Sequence, residues 1–544
     1  MANLWYRNAV VYCVDVKSFM DANGDGVGDF AGLADRLDHL ERLGVTCIWL
    51  NPFYPSPRKD NGYDIADYYA VDPQLGNLGD FVEFMQAAKD RGMRVIVDLV
   101  VNHTSDQHPW FQSARSDPNS PYRDWYVWRK DKPDNITDGI VFPGVQKGIW
   151  TYDNAAKAWY MHRFYQFQPD LNVTNPEVRA EILKIMGFWL ELGVSGFRVD
   201  AVPFLIEPRG VLTDKPVTDP YSFLTDIHNF LSWRKAEAVL LAEANIDYDV
   251  AQSYFDAGDR MTMVFDFIGN QHLFLSLAQK TAAPLRQALA ARPAPNGMGQ
   301  WANFLRNHDE LDLGRLTEQE KSECFAAFGP KPEMQIYDRG IRRRLASMLD
   351  GDERRLKLAF SLLMSLPGTP VLWYGDEIGM GDDQSLKERE AVRTPMQWSQ
   401  EPNAGFSSAD PNKLIRPVID KGKFSYKTVN AAAEVHRRDS LFHAVSDMIS
   451  TRRSSPEIGW DGVNIVDVGD DELLVLESTW RGNRVFTAHN FSDRNKSFHL
   501  DDTSIRTLTP MLTDDTPLDP LGPDEPITLS PFGYCWLRCN GERR

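Results

Sequence analysis

Cysteine is scarce in this chain of 544 residues. There are five, at positions 13, 47, 324, 535 and 539, odd in number and scattered. A disulfide framework is therefore not expected, and the compartment expected is the reducing cytoplasm. Cys535 and Cys539 lie four apart with no further ligand close by, so they read as strand residues rather than a metal pair. Long apolar runs are missing too. None reaches the ~20 residues of a membrane helix, and MANLWYRNAVVYC lacks the basic-then-apolar layout of a secretory leader, so none is expected. Basic charge is in deficit: 59 Lys and Arg stand against 77 Asp and Glu, a net charge of −18. Such a field repels phosphate backbones and anionic lipid, which disfavours nucleic acid and membrane surfaces as partners. Repeats and low-complexity tracts are absent. With 42% hydrophobic and 25% charged residues, the composition excludes disordered and fibrous classes.

What is present is an alternation of strand and helix patterns. Ala9–Val16, Val45–Leu50 and Met93–His103 read as strands, the last apolar on both faces as in a buried parallel sheet. Phe30–Gly44 and FVEFMQAAKDRG read as helices closed by glycine. From 104 to 167 the rhythm breaks into short runs rich in Asp, Pro, Trp and Tyr, which reads as an insertion after strand three. Its aromatics, Trp110, Phe111 and Trp125 among them, read mainly as the core of that unit. Alternation resumes with the helix VRAEILKIMGFWLELG and then GFRVDA, AVLLAEAN, MVFDF, WANFLRNHD and TPVLWYGDE, giving eight strands. The fold class predicted is α/β, a (β/α)8 TIM barrel, with its last helix around 431–451. After residue 453, short alternating strands bounded by Gly, Asp and Asn predict a C-terminal antiparallel β-sandwich domain. The barrel thus occupies 1–103 and 168–453, the insertion 104–167 and the β-domain 454–544.

In such a barrel the C-terminal strand ends face the active site. Strand three ends in Asp98, Asn102 and His103, strand four in Arg198 and Asp200, strand five in Glu243, and strand seven in Asn307, His308 and Asp309. Three carboxylates, Asp200, Glu243 and Asp309, would meet in one cleft, and retaining glycoside cleavage needs two. Arg198, two residues before Asp200, would point the same way and keep it ionised as a nucleophile. Glu243 follows the apolar run 238–242, and burial would raise its pKa as a general acid requires. His103 and His308 would donate to sugar hydroxyls, since no HxH or HExxH spacing supports a metal. The partner expected is thus a neutral small-molecule sugar, and a homo-oligomer is left open. DANGDGVGD places oxygens at Asp21, Asn23, Asp25, the Val27 carbonyl and Asp29. This reads as a structural Ca2+ loop, with Mg2+ or a plain acidic turn as alternatives.

DLVVNH (98–103), QPDLN (168–172), GFRVDA (196–201), LLAEAN around Glu243 and FLRNHD (304–309) together resemble the α-amylase family of retaining glycoside hydrolases. The resemblance implies that the insertion is that family's B domain. It implies Asp200 as nucleophile, Glu243 as acid/base and Asp309 as transition-state stabiliser. It places Tyr63, Asp64, His103, Gln168, Arg198, His308 and Arg389 around the glucose unit at the cleavage point. It also implies a second structural Ca2+ on Asn102, Asp170, Glu207 and the carbonyls of Phe204 and Leu205. Within the family, NPFYPSPRKDNGYDIADY, HRFYQFQPDLN and GIRRRLASML resemble the trehalose synthases, which interconvert maltose and trehalose. The activity this implies is retaining α-glucosyl transfer on small α-glucosides, with maltose–trehalose isomerisation foremost. An α-glucosidase, or a transglucosylase with another acceptor, is the alternative. Two stretches depart from those enzymes: PRGVLTDKPVTDPYSF lacks their Cys- and Asn-containing loop, and ANIDYD stands where they carry Trp-Pro. Both bear on acceptor choice rather than on the first chemical step.

Overall fold

A computed structural model of the chain describes residues 4–134, 136–206, 219–460, 462–514 and 518–540. Eight parallel strands close into a barrel: β1 (Val11–Val14), β2 (Cys47–Leu50), β3 (Arg94–Leu99), β4 (Gly196–Val199), β5 (Val239–Ala242), β6 (Met263–Phe265), β7 (Gln300–Phe304) and β8 (Thr369–Trp373). Each coincides with a strand read from the sequence, β7 starting one residue earlier than expected. Closure is made by β1 on β8, with Val11 opposite Val371 and Cys13 opposite Trp373. Nearly every strand residue is buried, as expected where helices cover the outside and side chains fill the inside. That explains the two-sided apolar runs.

The helices differ from expectation in two places. Phe30–Gly44 is two helices, Phe30–Asp35 and Leu37–Leu43, broken at Arg36, whose guanidinium lies over the Trp398 ring. Gly44 closes the second with φ 96°, a conformation that favours glycine. The last barrel helix is likewise two, Ala431–His436 and Leu441–Arg453, because Ser440 caps the second by accepting from the His443 N–H.

Between β3 and β4 the chain forms the helix Pro109–Ser116 and a three-stranded antiparallel sheet of Trp128–Arg129, Trp150–Asp153 and Ala158–Met161. Its aromatics pack on one another, as expected: Phe111 stacks on Trp128, and Trp110 meets Trp125 edge-on.

The C-terminal region is a five-stranded antiparallel sheet of β9 (Val463–Val466), β10 (Leu473–Trp480), β11 (Asn483–Asn490), β12 (Thr507–Thr513) and β13 (Tyr534–Asn540), with β12 at an edge. A two-stranded sheet, Lys496–Phe498 with Ile527–Leu529, packs on it. The alternation of β10 divides its side chains. Leu473 and Val475 face the small sheet, while Leu474 and Leu476 join the barrel's core. Trp536 is fully buried on the barrel side, its indole donating to Ser361 Oγ at 2.9 Å.

Candidate active site

The barrel brings the predicted strand ends together. Arg198, at 1% exposure, projects from β4 and holds three carboxylates. Its Nη1 donates to Asp98 Oδ1 at 3.0 Å and to Asp200 Oδ1 at 2.7 Å, and its Nη2 lies 2.8 Å from Glu243 Oε1. One guanidinium cannot offset two buried anions and a third that is part-buried. Burial raises Asp98 and Asp200 to about 6, and burial raises Glu243 to about 7 with Asp200 adding to the shift. The expectation for Asp200 is corrected in this respect. Arg198 does lower its pKa, but desolvation outweighs it. Glu243 behaves as expected. The residue between them, Ala201, is held at φ 50° and donates its N–H to Glu243 Oε2 at 3.1 Å. A non-glycine residue there stores strain, as functional sites often do.

Asp309 has the opposite surroundings. Burial pushes its carboxyl up, but His308, Arg389 and Arg393 together hold it well below the usual range. Arg389 Nη1 and Arg393 Nη2 donate to Oδ1 at 2.7 and 2.9 Å, and His308 Nε2 lies 3.0 Å from Oδ2. His308 and His103 are lowered to about 4 by burial and stay neutral donors. Tyr63 Oη links the two halves, 2.9 Å from Asp98 and 2.7 Å from His308.

A cavity of about 300 Å3 opens above these groups. Asp60, Tyr63, His103, Asp200, Glu243, Asp309 and Arg389 line its polar floor. Val141, Phe142 and Phe164 from the insertion, with Phe204 and Phe267, line its apolar walls.

Asp64 is a correction. Its carboxylate is fully buried behind the loop, accepting from Ser56 Oγ and from the N–H groups of Lys59 and Asp60. Asp60 faces the cavity in its place and bonds to Arg389 at 2.9 Å. Gln168 does not reach the cavity either; its amide donates to Asp60 at 2.9 Å and fixes that carboxylate. Sequence reasoning missed Asp60 and Arg393. Asp60 lies inside the quoted stretch NPFYPSPRKDNGYDIADY, and Arg393, four residues after Arg389, opens the segment RTPMQW (393–398). Glu310, beside Asp309, also lines the cavity and is raised by burial to about 7.

In the Asp21–Asp29 loop, Asp21 and Asp29 are buried and accept from backbone N–H groups of the loop and, at Asp29, of Gly32 in the helix that follows. Among the described residues, Asp21, Asp25 and Asp29 meet no cationic side chain. No three acidic, His or Cys side chains are gathered as a metal cluster among the described residues. A cation here would therefore draw on Asn23 and the Val27 carbonyl as well. The second Ca2+ set does not fit. Arg163 Nε lies 3.7 Å from Asp170 Oδ2 and the Arg163 backbone N–H donates to Asp170 Oδ1, so a resident guanidinium supplies the positive charge. Asn102 turns its amide nitrogen toward Asp170, 3.3 Å away. Phe204 gives that guanidinium its ring face, Leu205 is buried nearby in sequence, and Glu207 lies outside the described residues.

Residues 14–328 and 336–461 match the α-amylase catalytic domain. The trehalose synthase/amylase TreS of Mycobacterium tuberculosis is 39% identical, over 99% of this chain and 93% of its own. The trehalose synthase of Thermus thermophilus is 41% identical over 98% of this chain, which spans 55% of that longer protein. A probable α-glucosidase of Rhizobium meliloti is 31% identical over 90% of both chains. Among solved structures, trehalulose synthase MutB from Pseudomonas mesoacidophila aligns at a TM-score of 0.79 and 27% identity over 98% of this chain and 99% of its own. A MutB variant with bound sucrose aligns at 0.80. Closed barrel, a carboxylate trio held by Arg198, Arg389 and Arg393, and sequence match agree, and the chain belongs to the α-amylase family.

Proposed function

We propose that this chain is a retaining α-glucosyl-transferring enzyme of small α-glucosides, and that its main reaction interconverts maltose and trehalose. The observation that carries this reading is the pair Asp200 and Glu243 on the two terminal nitrogens of one guanidinium. That places them close together, as double displacement needs. At neutral pH Asp200, near 6, is mostly ionised and attacks the anomeric carbon, while Glu243, near 7, still carries a proton for the leaving oxygen. Asp309, locked anionic by two arginines, faces the positive charge that develops on the sugar ring. Glu243, now ionised, then takes a proton from the incoming hydroxyl as the β-glucosyl-enzyme is opened.

The choice of hydroxyl decides the product. The small cavity and its walls of Val141, Phe142, Phe164 and Phe204 favour keeping the freed glucose in place to turn and re-attack. Relatives named trehalose synthase support the same outcome. One feature favours hydrolysis or another acceptor. In the ANIDYD stretch, where those enzymes carry Trp-Pro, Arg315 donates to Asn245, which lines the cavity, at 3.2 Å and to Asp247 at 2.8 Å. Incubating the enzyme separately with maltose and with trehalose, followed by NMR, tests the reading. Each sugar should yield the other. Mainly free glucose from both would replace isomerisation by hydrolysis. Asp200→Ala should cost about a thousandfold or more in kcat.

We place the reaction in the cytoplasm, which five free, buried thiols support. The Asp21–Asp29 loop, with its uncompensated carboxylates, is proposed to hold Ca2+ as a structural ion, taking no part in the chemistry.

A further inference from the structure

A second cavity of about 620 Å3 lies on the far side of Asp60 and Arg389, which line both it and the catalytic cavity. Seven cationic side chains line it against three carboxylates. Six of the seven have an acidic partner, with Asp15, Asp72, Asp106 and Asp309 meeting them from outside the lining. Arg58, Lys59 and Lys387 are exposed and stand at its rim; Lys387 has no acidic partner among the described residues. Lys17, Arg393 and Arg416 are buried at its base.

One buried donor there is unspent. Asn61 is 7% exposed and lines the cavity, and its Oδ1 accepts from Arg416 at 2.5 Å, which fixes the amide. Its Nδ2 has no hydrogen-bond partner. A buried unpaired amide N–H beside guanidinium and ammonium donors, with the Lys387 ammonium at the rim unpaired among the described residues, calls for an acceptor-rich anion. Tyr165 and Phe167 stack along the same cavity, ring centroids 5.1 Å apart and nearly parallel, and the Lys59 ammonium lies 5.2 Å over the Phe167 ring, so the aromatic pair supports a cation of the rim.

The geometry points to a binding site for a phosphate group in this second cavity, on a phosphorylated sugar or as free phosphate, coupled to catalysis through Arg389. The coupling is direct. Arg389 gives one nitrogen to Asp60 and the other to Asp309, and Arg393 also holds Asp309. An anion behind them competes for the guanidinia that orient Asp309, so occupancy inhibits.

The test uses the full chain with inorganic phosphate and, separately, glucose 6-phosphate. Binding is followed by calorimetry and activity by sugar turnover, with chloride at matched ionic strength as the control. Each arm is repeated with the Arg58→Glu/Lys387→Glu double variant, whose basal activity should be unchanged. Saturable binding that the variant weakens by about tenfold or more, with inhibition noncompetitive toward the sugar and absent in the variant, is the expected result. A stronger response to glucose 6-phosphate identifies a phosphorylated sugar as the natural source, and equal responses identify the phosphate group alone. Binding no greater than the chloride control, or unchanged in the double variant, overturns the site. Because binding is read without turnover, this outcome is separable from failure of the isomerase reading.

Discussion

Asp200 and Glu243 share one arginine, yet burial, with the neighbouring carboxylates adding to each shift, leaves them about a unit apart, near 6 and near 7. Below that window Asp200 takes up a proton and cannot attack; above it Glu243 loses its proton and cannot donate. The expected kcat/KM profile is therefore a bell with its top between about 6 and about 7, the two limbs belonging to the coupled pair rather than to either residue alone. Glu243→Gln should remove the alkaline limb and cost about a hundredfold to ten-thousandfold in rate; an unchanged alkaline limb would reassign the acid. The turn carrying Asp60 and Asp64 supplies a second test at this scale. Asp60→Asn strips the charge that Arg389 meets and should lower kcat/KM by about tenfold or more. Asp64→Asn, by contrast, should lower Tm with KM little changed, because its partners are all in the loop. The carboxylate trio was legible because strand ends of a barrel share one face. The choice between Asp60 and Asp64 was not. Asn61 at φ 53° and Gly62 at φ 102° reverse the chain between them, and no spacing rule states which side of a reversal faces a cavity.

At the scale of elements, all eight barrel strands could be read because two-sided burial writes an unbroken apolar run. The edge strand β12 could not, since Pro510 sits inside it; the register slips between Pro510 and Leu512, as an edge position tolerates. Helix breaks at Arg36 and before Ser440 escaped for a related reason: apolar periodicity continues across them, and tertiary contacts decide where the turn falls. The Asp21–Asp29 loop is an element with its own prediction. It anchors the segment after RTPMQW through Ser407 to Asp21 and through the Ile415 N–H to the Gly26 carbonyl at 2.9 Å. Chelation should lower Tm by about 5 °C while leaving kcat at moderate temperature unchanged. Asp25→Ala should lower Tm similarly and abolish the response to chelator. A melting curve indifferent to chelator would leave the loop as an acidic turn.

Across the whole molecule, barrel, insertion and C-terminal sheet are joined by packing rather than strung on linkers. The insertion roofs the cavity, and Arg339 ties it down by donating to the Val141 carbonyl at 2.9 Å while its Nε bonds Asp312 at 3.2 Å. At the other end, Trp536 seats the C-terminal sheet on the helix Glu353–Ser365. Trp536→Ala removes a fully buried ring and should cost about 3–5 kcal/mol, read as a lower Tm with an unaltered KM. The alternation along β10 carries a thermodynamic consequence. A strand that lends every second side chain to the barrel's interior and the rest to its own has no melting point of its own. Heat capacity measured across unfolding should accordingly show one peak for barrel and sheet together, and a lesion in the last β-strand should reach the chemistry only as a shortened lifetime of the folded enzyme.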